Sequence, residues 1–196
     1  MKATLRRRDV AQALLKDRKG LLVVAGLGST AWDITAVGDT PLNFPLWGGM
    51  GNAAMIGLGL ALAQPRRRVL VLTGDGEMLM GLGSLATIGV QRPRNLSVVV
   101  IDNERYGETG MQATHTAAGV DLAKAAQACG FRVTRQIRAR AALAALRRAI
   151  HASPGPLFAQ IKVQAEKLPL VLPPRDGGLL KTRFRNALLG AQADLD

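Results

Sequence analysis

At 196 residues and 48% hydrophobic content, the chain is sized for one domain with a proper core, and no apolar run reaches the roughly 18 residues a membrane-spanning helix needs. The 26 Lys and Arg against 14 Asp and Glu give a net charge of +12, but they are scattered and form no aromatic-interleaved basic module. That ranks an anionic cofactor, an anionic substrate or an acidic partner chain above nucleic acid or a membrane as the target of the positive field.

A single cysteine, Cys129, excludes an internal disulfide. The basic start Met1-Lys2-Ala3-Thr4-Leu5-Arg6-Arg7-Arg8 is not followed by the apolar core of a signal peptide, and a cytoplasmic protein is expected. Residues 4–18 place Leu5, Val10, Ala13 and Leu14 near one face and predict an amphipathic helix, ended by Gly20. Leu21-Leu22-Val23-Val24-Ala25 is a continuous apolar run, the pattern of a strand buried on both faces.

Gly26-Leu27-Gly28-Ser29-Thr30-Ala31 follows that strand and opens a helix, which brings a Rossmann nicotinamide site into consideration. Such a site requires a further strand ending in an acidic residue about 20 positions on. The sequence offers instead the turn Val37-Gly38-Asp39-Thr40-Pro41, an apolar loop at 43–47, and no strand signal until Val69. Gly48-Gly49-Met50-Gly51 then surrounds one bulky side chain with glycines, an arrangement that lets a backbone carbonyl and that side chain reach a ligand. Residues 52–63 predict a small-residue helix. Its Gly57 and Gly59 each cost up to about 1 kcal/mol relative to Ala, so tight packing is the expected compensation. Gln64-Pro65 ends it.

Residues 69–72 predict a second buried strand, stopped by Gly74-Asp75-Gly76, and 77–90 a helix with Glu77 placed to cap it. A turn at a helix start presents free N–H groups that favour phosphate. Residues 96–101 predict a third strand, ending at Asp102-Asn103. In a parallel sheet Asp75 and Asn103 would face one another at the carboxyl edge, where open α/β sheets bind ligands. A carboxylate, an amide oxygen, a backbone carbonyl and phosphate oxygens make an oxygen-only shell suited to Mg²⁺. Residues 104–119 form a polar loop rich in Thr and Gly, read as a lid. Within it Glu108 is a candidate and His115 a candidate catalytic acid–base or substrate contact.

Residues 120–130 predict a helix closed by glycine, 131–136 an edge strand, 139–152 a helix and 156–163 a last strand. Arg6-Arg7-Arg8, Arg66-Arg67-Arg68 and Arg147-Arg148 read as solvated helix faces and ends. The division expected is a domain over 1–167 and a basic tail over 168–196 that docks a partner.

Gly74-Asp75-Gly76, followed at the right interval by Asp102-Asn103, resembles the Gly-Asp-Gly…Asn-Asn motif of thiamine diphosphate enzymes. Asp102 departs from the first asparagine of the pair; the second, the metal-ligand position, is intact. Trp47-Gly48-Gly49-Met50-Gly51 and Tyr106-Gly107-Glu108-Thr109-Gly110 match as well. The chain is most similar to the small subunit of sulfopyruvate and phosphonopyruvate decarboxylases, over roughly residues 4–165.

The resemblance implies a three-layer α/β/α sandwich with a mainly parallel sheet. It implies Mg²⁺ held by Asp75, Asn103 and the Arg105 carbonyl, and thiamine diphosphate held by Gly28, Ser29, Thr30, Gly48, Gly49, Met50, Gly74, Asp75, Gly76, Glu77, Asn103, Tyr106, Gly107, Glu108 and Thr109. In the family the Gly48 carbonyl accepts from the aminopyrimidine, and Met50 enforces the bent cofactor. The activity implied is decarboxylation of a small anionic 2-oxoacid to an aldehyde and CO₂, with an acetolactate synthase-type carboligase as the nearer alternative. The glutamate that activates the aminopyrimidine would come from a pyrimidine-domain (alpha) subunit, in a hetero-oligomer built on dimers.

Overall fold

The computed structural model describes residues 3–194; Met1 and Lys2 of the basic start and Leu195 and Asp196 of the tail lie outside the described residues. The Val-, Leu- and Ile-rich runs become strands β1 (Leu22–Ala25), β2 (Asn43–Pro45), β3 (Val69–Gly74) and β4 (Leu96–Asp102). A short antiparallel pair, β5 (Arg105–Tyr106) and β6 (Gln112–Ala113), precedes β7 (Val133–Ile137) and β8 (Leu157–Lys162). Apart from that pair, the strands make one six-stranded sheet ordered β2-β1-β3-β4-β8-β7, and every pairing in it is parallel. β1, β3, β4 and β8 are buried or nearly so along their whole lengths, which is why they read as mostly apolar runs, interrupted in β4 by Ser97 and in β8 by Gln160.

Helices cover both faces. On one side α1 (Arg7–Leu15), α2 (Ser29–Ala36) and α7 (Leu143–Ala152) pack Val10, Leu14, Ile34, Leu146 and Ile150 against Val23, Leu70, Val99 and Ile161. On the other lie α3 (Ala53–Ala63), α4 (Asp75–Met80), α5 (Ser84–Gln91), α6 (Leu122–Ala128) and α8 (Gly177–Leu189), with Leu58, Met78, Ile88, Leu122 and Phe184 in the cluster around Val24, Val71, Val98 and Phe158. Alternate residues of each strand serve opposite faces, so the three-layer α/β/α architecture expected from the sequence is the one observed.

Four local expectations change. A strand does form before Val69: residues 43–45 pair with β1 as an edge, register Val23↔Asn43. It is too short to leave a periodic signal, and it runs into Leu46 rather than an acidic residue. The helix expected over 77–90 is split into α4 and α5 around Gly81. There the backbone meets Gly51 so closely that a Cβ on Gly81 would collide with the Gly51 carbonyl, so the break admits the glycine loop. Of the two glycines in α3, only Gly57 marks a tight approach, its Cβ position falling on Val71 Cγ2; Gly59 faces open space.

The tail, finally, packs on the chain itself. Phe184 of α8 lies against Phe44 of β2 with ring centroids 5.3 Å apart, and Arg183 donates to both oxygens of Asp39 at 2.6 and 3.2 Å. α8 thereby packs on the face of edge strand β2. No described helix is long and apolar enough to cross a membrane.

Candidate functional site

From β1 the chain moves outward to β2, and it then returns to place β3 on the other side of β1. The turns leaving the two strands therefore part at the carboxyl edge and open a crevice. The turn after β1 supplies Leu27, Ser29 and Thr30, the turn after β3 supplies Gly74 to Glu77, and the segment after β4 supplies Asn103 and Arg105 to Thr109. With Arg7, Met50, Met80 and Ile101 they line a cavity of about 360 Å³.

Asp75 sits at its floor, 2% exposed. Its Oδ2 accepts from Thr114 Oγ1 at 2.5 Å and faces Thr116 Oγ1 at 3.2 Å, while Thr116 Oγ1 donates to Asp102 Oδ1 at 2.8 Å. Two hydroxyl protons thus serve two buried carboxylates. Burial first, and the Asp102 charge second, push Asp75 up to about 6, against the pull of the two threonines. No cationic side chain pairs with Asp75 among the described residues.

A buried carboxylate without a counter-charge fits a bound cation. Among the described residues there is no cluster of three or more His, Cys, Asp or Glu that would hold a metal. A cation beside Asp75 must therefore draw on neutral oxygens and on a ligand. Asn103 is adjacent, and its Oδ1 accepts from the Arg105 amide at 2.9 Å in a side-chain-closed turn that fixes both residues.

Two glycines are shaped by what faces them. A Cβ on Gly76 would meet the Tyr106 ring at 2.5 Å, so the ring lies directly on the turn after β3. Gly28 has φ +75°, and its Cβ position is 2.9 Å from Glu108 Oε1. Gly28 precedes α2 with no side chain capping the helix, so the first N–H groups of α2 remain open to an anion. Gly26 is glycine for another reason: its Cβ position falls on the Glu77 carboxylate. Glu77 does not cap α4. It turns to Thr73, whose hydroxyl donates to Oε2 at 2.7 Å, and burial raises its pKa.

The structure brings Asp75, Asn103, Arg105, Gly74, Gly76, Glu77, Tyr106, Gly107, Glu108, Thr109, Ser29, Thr30 and Met50 to one cavity. Thr30 contributes position more than a hydroxyl, since Thr30 Oγ1 donates to the Gly26 carbonyl at 2.8 Å; Ser29 is the free hydroxyl of the pair. Gly48 and Gly49 are exposed and stand outside the lining, and only Met50 of that loop projects into it. His115 is exposed and likewise outside the lining; the threonines on either side of it point inward instead.

One charged residue of the cavity was not legible in the sequence. Arg7, within a run read as solvated, is 4% exposed, donates to Asp33 Oδ2 at 2.8 Å and to the Ser29 carbonyl at 3.1 Å, and lines the cavity with its Nε unpaired. The signal available was its place in the first turn of an amphipathic helix, on the side of Val10 and Leu14.

Compared with known proteins, residues 28–161 match the family described as thiamine pyrophosphate enzyme, C-terminal TPP binding domain. Sulfopyruvate decarboxylase subunit beta of Methanothermobacter thermautotrophicus is 38% identical over 176 residues, 88% of this chain and 90% of that protein. Phosphonopyruvate decarboxylase of Streptomyces viridochromogenes is 46% identical over 110 residues, 56% of this chain but 27% of that protein. The solved structure of benzoylformate decarboxylase from Polynucleobacter necessarius superposes with a TM-score of 0.70 at 21% identity, covering 85% of this chain and 34% of that one. The last comparison speaks to fold alone.

Proposed function

Because the chain belongs to the thiamine pyrophosphate enzyme family as a C-terminal TPP-binding domain, we propose that it is the diphosphate- and Mg²⁺-binding subunit of a two-chain 2-oxoacid decarboxylase. The observation that carries this reading is the near end-to-end match to a decarboxylase subunit, in a chain whose buried Asp75 lacks a counter-charge. Bound thiamine diphosphate supplies the electron sink that lets a 2-oxoacid lose CO₂ and leave as an aldehyde.

The chain's own residues bind and orient. Asp75, the Asn103 amide oxygen and the Arg105 carbonyl would hold Mg²⁺. The open N–H groups of α2, the Ser29 hydroxyl and the Arg7 guanidinium take up the remaining diphosphate charge. Thr114 fixes Asp75 through its hydroxyl, and Thr116 holds the neighbouring Asp102. The ring of Tyr106 on Gly76 and the Met50 side chain would wall the cofactor.

A partner alpha subunit contributes the activating glutamate. The exposed Leu170, Val171, Leu172 and Leu179 of the tail belong to the surface that receives it. The substrate is a 2-oxoacid carrying a second anionic group, and the complex works in the cytoplasm.

The test is reconstitution of the full chain with a candidate alpha subunit in Mg²⁺ and thiamine diphosphate, following decarboxylation of sulfopyruvate, phosphonopyruvate and pyruvate. The expected result is turnover only with both chains and preference for the dianionic substrates. Robust turnover by this chain alone overturns the division of labour, and acetolactate formation from pyruvate replaces decarboxylase by carboligase.

A further inference from the structure

At the opposite, amino edge of the sheet, the loops entering β3 and β4 close around another cavity, of about 350 Å³. Arg66, Arg67, Arg68, Arg94, Asn95 and Pro154 line it, and no carboxylate does. None of the four arginines is within ion-pair distance of an Asp or Glu among the described residues. Of the chain's other buried and partly buried arginines, Arg7, Arg8, Arg147 and Arg183 meet an aspartate, whereas Arg18 is held by the Asn43 amide oxygen and the Leu21 and Leu42 carbonyls.

The loops are held rather than loose. Asn95 Nδ2 lies 3.0, 3.0 and 2.8 Å from the carbonyls of Ala61, Gln64 and Arg67, tying the entry to β3 onto the entry to β4. Arg68 Nη1 donates to the Ser153 carbonyl at 2.6 Å and faces the Arg94 carbonyl at 3.3 Å, and Arg67 Nη2 donates to the Gly20 carbonyl at 3.1 Å. Two guanidinium groups are thereby anchored by one nitrogen each, with their remaining N–H donors uncommitted to any carboxylate. Arg66 and Arg94 stand exposed at the rim.

The positive field is felt nearby. Burial first, then Lys19, Arg147 and Arg68, hold His151 below the ordinary imidazole range. Like charges gathered this closely repel one another unless an anion joins them. A fork of N–H donors matches phosphate oxygens in pairs, which makes arginine the suited side chain. The cavity falls within the roughly 300–1,000 Å³ of small-molecule pockets. A single negative charge would leave most of the repulsion in place, so the ligand that fits carries at least two.

We propose that this cavity is a second anion site, which takes a small phosphate-bearing ligand of two or more negative charges. It is separate from the Asp75 cavity: the six residues of β3 lie between Arg68 at one edge and Asp75 at the other, roughly 20 Å at 3.3 Å per residue. The inference does not rest on the cofactor reading.

The experiment titrates the full chain carrying Asp75→Ala, in EDTA and without Mg²⁺, so that metal-dependent diphosphate binding is removed. Inorganic pyrophosphate is the probe, followed by calorimetry and by ³¹P NMR. One equivalent should bind, and the added pair Arg66→Ala and Arg94→Ala should weaken it by at least about tenfold, as loss of charge-assisted bonds requires. Replacing both by lysine should restore part of that loss, because charge returns without the fork. Inorganic phosphate and ATP as further probes separate a bare phosphate from a nucleotide ligand. Binding that is absent, or unchanged by the Arg66 and Arg94 substitutions, overturns the proposal. So does a single-stranded RNA oligonucleotide that binds this edge while pyrophosphate does not compete. The substituted arginines are exposed, and an unchanged melting temperature without ligand checks that the fold survives.

Discussion

Lys162 Nζ lies 2.8 Å from Asp102 Oδ2, and the two residues face each other as register partners on β8 and β4. This contact accounts for the aspartate that stands where the family motif has its first asparagine. Burial alone would lower the lysine pKa, but hydrogen bonds and charge from Asp102 and Glu104 outweigh it and the net shift is upward. Gln160 Nε2 and Thr116 Oγ1 complete the shell around Asp102. A charged pair has replaced a neutral amide one residue before the proposed metal ligand.

Lys162→Met should strand that carboxylate and destabilise the chain by about 3 kcal/mol, as breaking a buried pair does. Adding Asp102→Asn should recover most of the loss, since the neutral amide needs no cation. Urea unfolding of the two variants checks this; a double variant no more stable than Lys162→Met refutes the pairing as the reason for Asp102.

Asp75 gives a pH-dependent prediction. Its carboxyl is raised from 3.8 to about 6 by burial and by Asp102. Between those values the folded, metal-free chain keeps a proton that the unfolded chain has released. The stability from that carboxyl is therefore present at lower pH and is lost as pH rises through about 6. In EDTA at pH 7.5, Asp75→Asn should be more stable than the parent by about 1–3 kcal/mol. It should gain nothing from Mg²⁺ with thiamine diphosphate, whereas the parent gains stability by mass action. A variant that is less stable in EDTA, or one that still binds the pair, contradicts the assignment.

Arg7 is expected to read the diphosphate. Arg7→Lys should keep the ion pair with Asp33 but lose the fork, and should weaken thiamine diphosphate binding about tenfold while leaving unphosphorylated thiamine nearly unchanged. The ratio of the two affinities, measured by calorimetry with Mg²⁺ and the partner subunit present, is the readout. Equal losses for both ligands would mean that Arg7 only supports α2.

Gly76→Ala places a methyl against the Tyr106 ring. It should displace the segment after β4 and abolish detectable cofactor binding, and Tyr106→Ala should restore part of it by vacating the space. The NMR resonances of the Tyr106 ring report the displacement directly, because Tyr106 is the only tyrosine in the chain. Full-affinity binding by Gly76→Ala would rule out the close approach.

The sequence by itself determined the layers and the Gly-Asp-Gly turn at the carboxyl edge. The strands buried on both faces announce themselves as apolar runs, because helices cover each side and a polar residue in them, such as Gln160, must find a buried partner. Gly74-Asp75-Gly76 and Asn103 are legible because close backbone approach, and the oxygen ligation proposed for them, call for those residue types at strand ends. Edge strand β2 was not legible: three residues with Pro45 carry no period, and β1 and α8 decide their state. Nor was the fate of charged side chains. Arg7 and Arg66 sit in similar arginine runs, yet one is buried against Asp33 and the other stands at a cavity rim, because only packing sets which way a helix turn faces. Lys162 is one polar residue at the end of an apolar run until the parallel register of β4 and β8 brings it to Asp102. Partners for buried charge come from strands dozens of residues apart, and that pairing is a property of the tertiary structure.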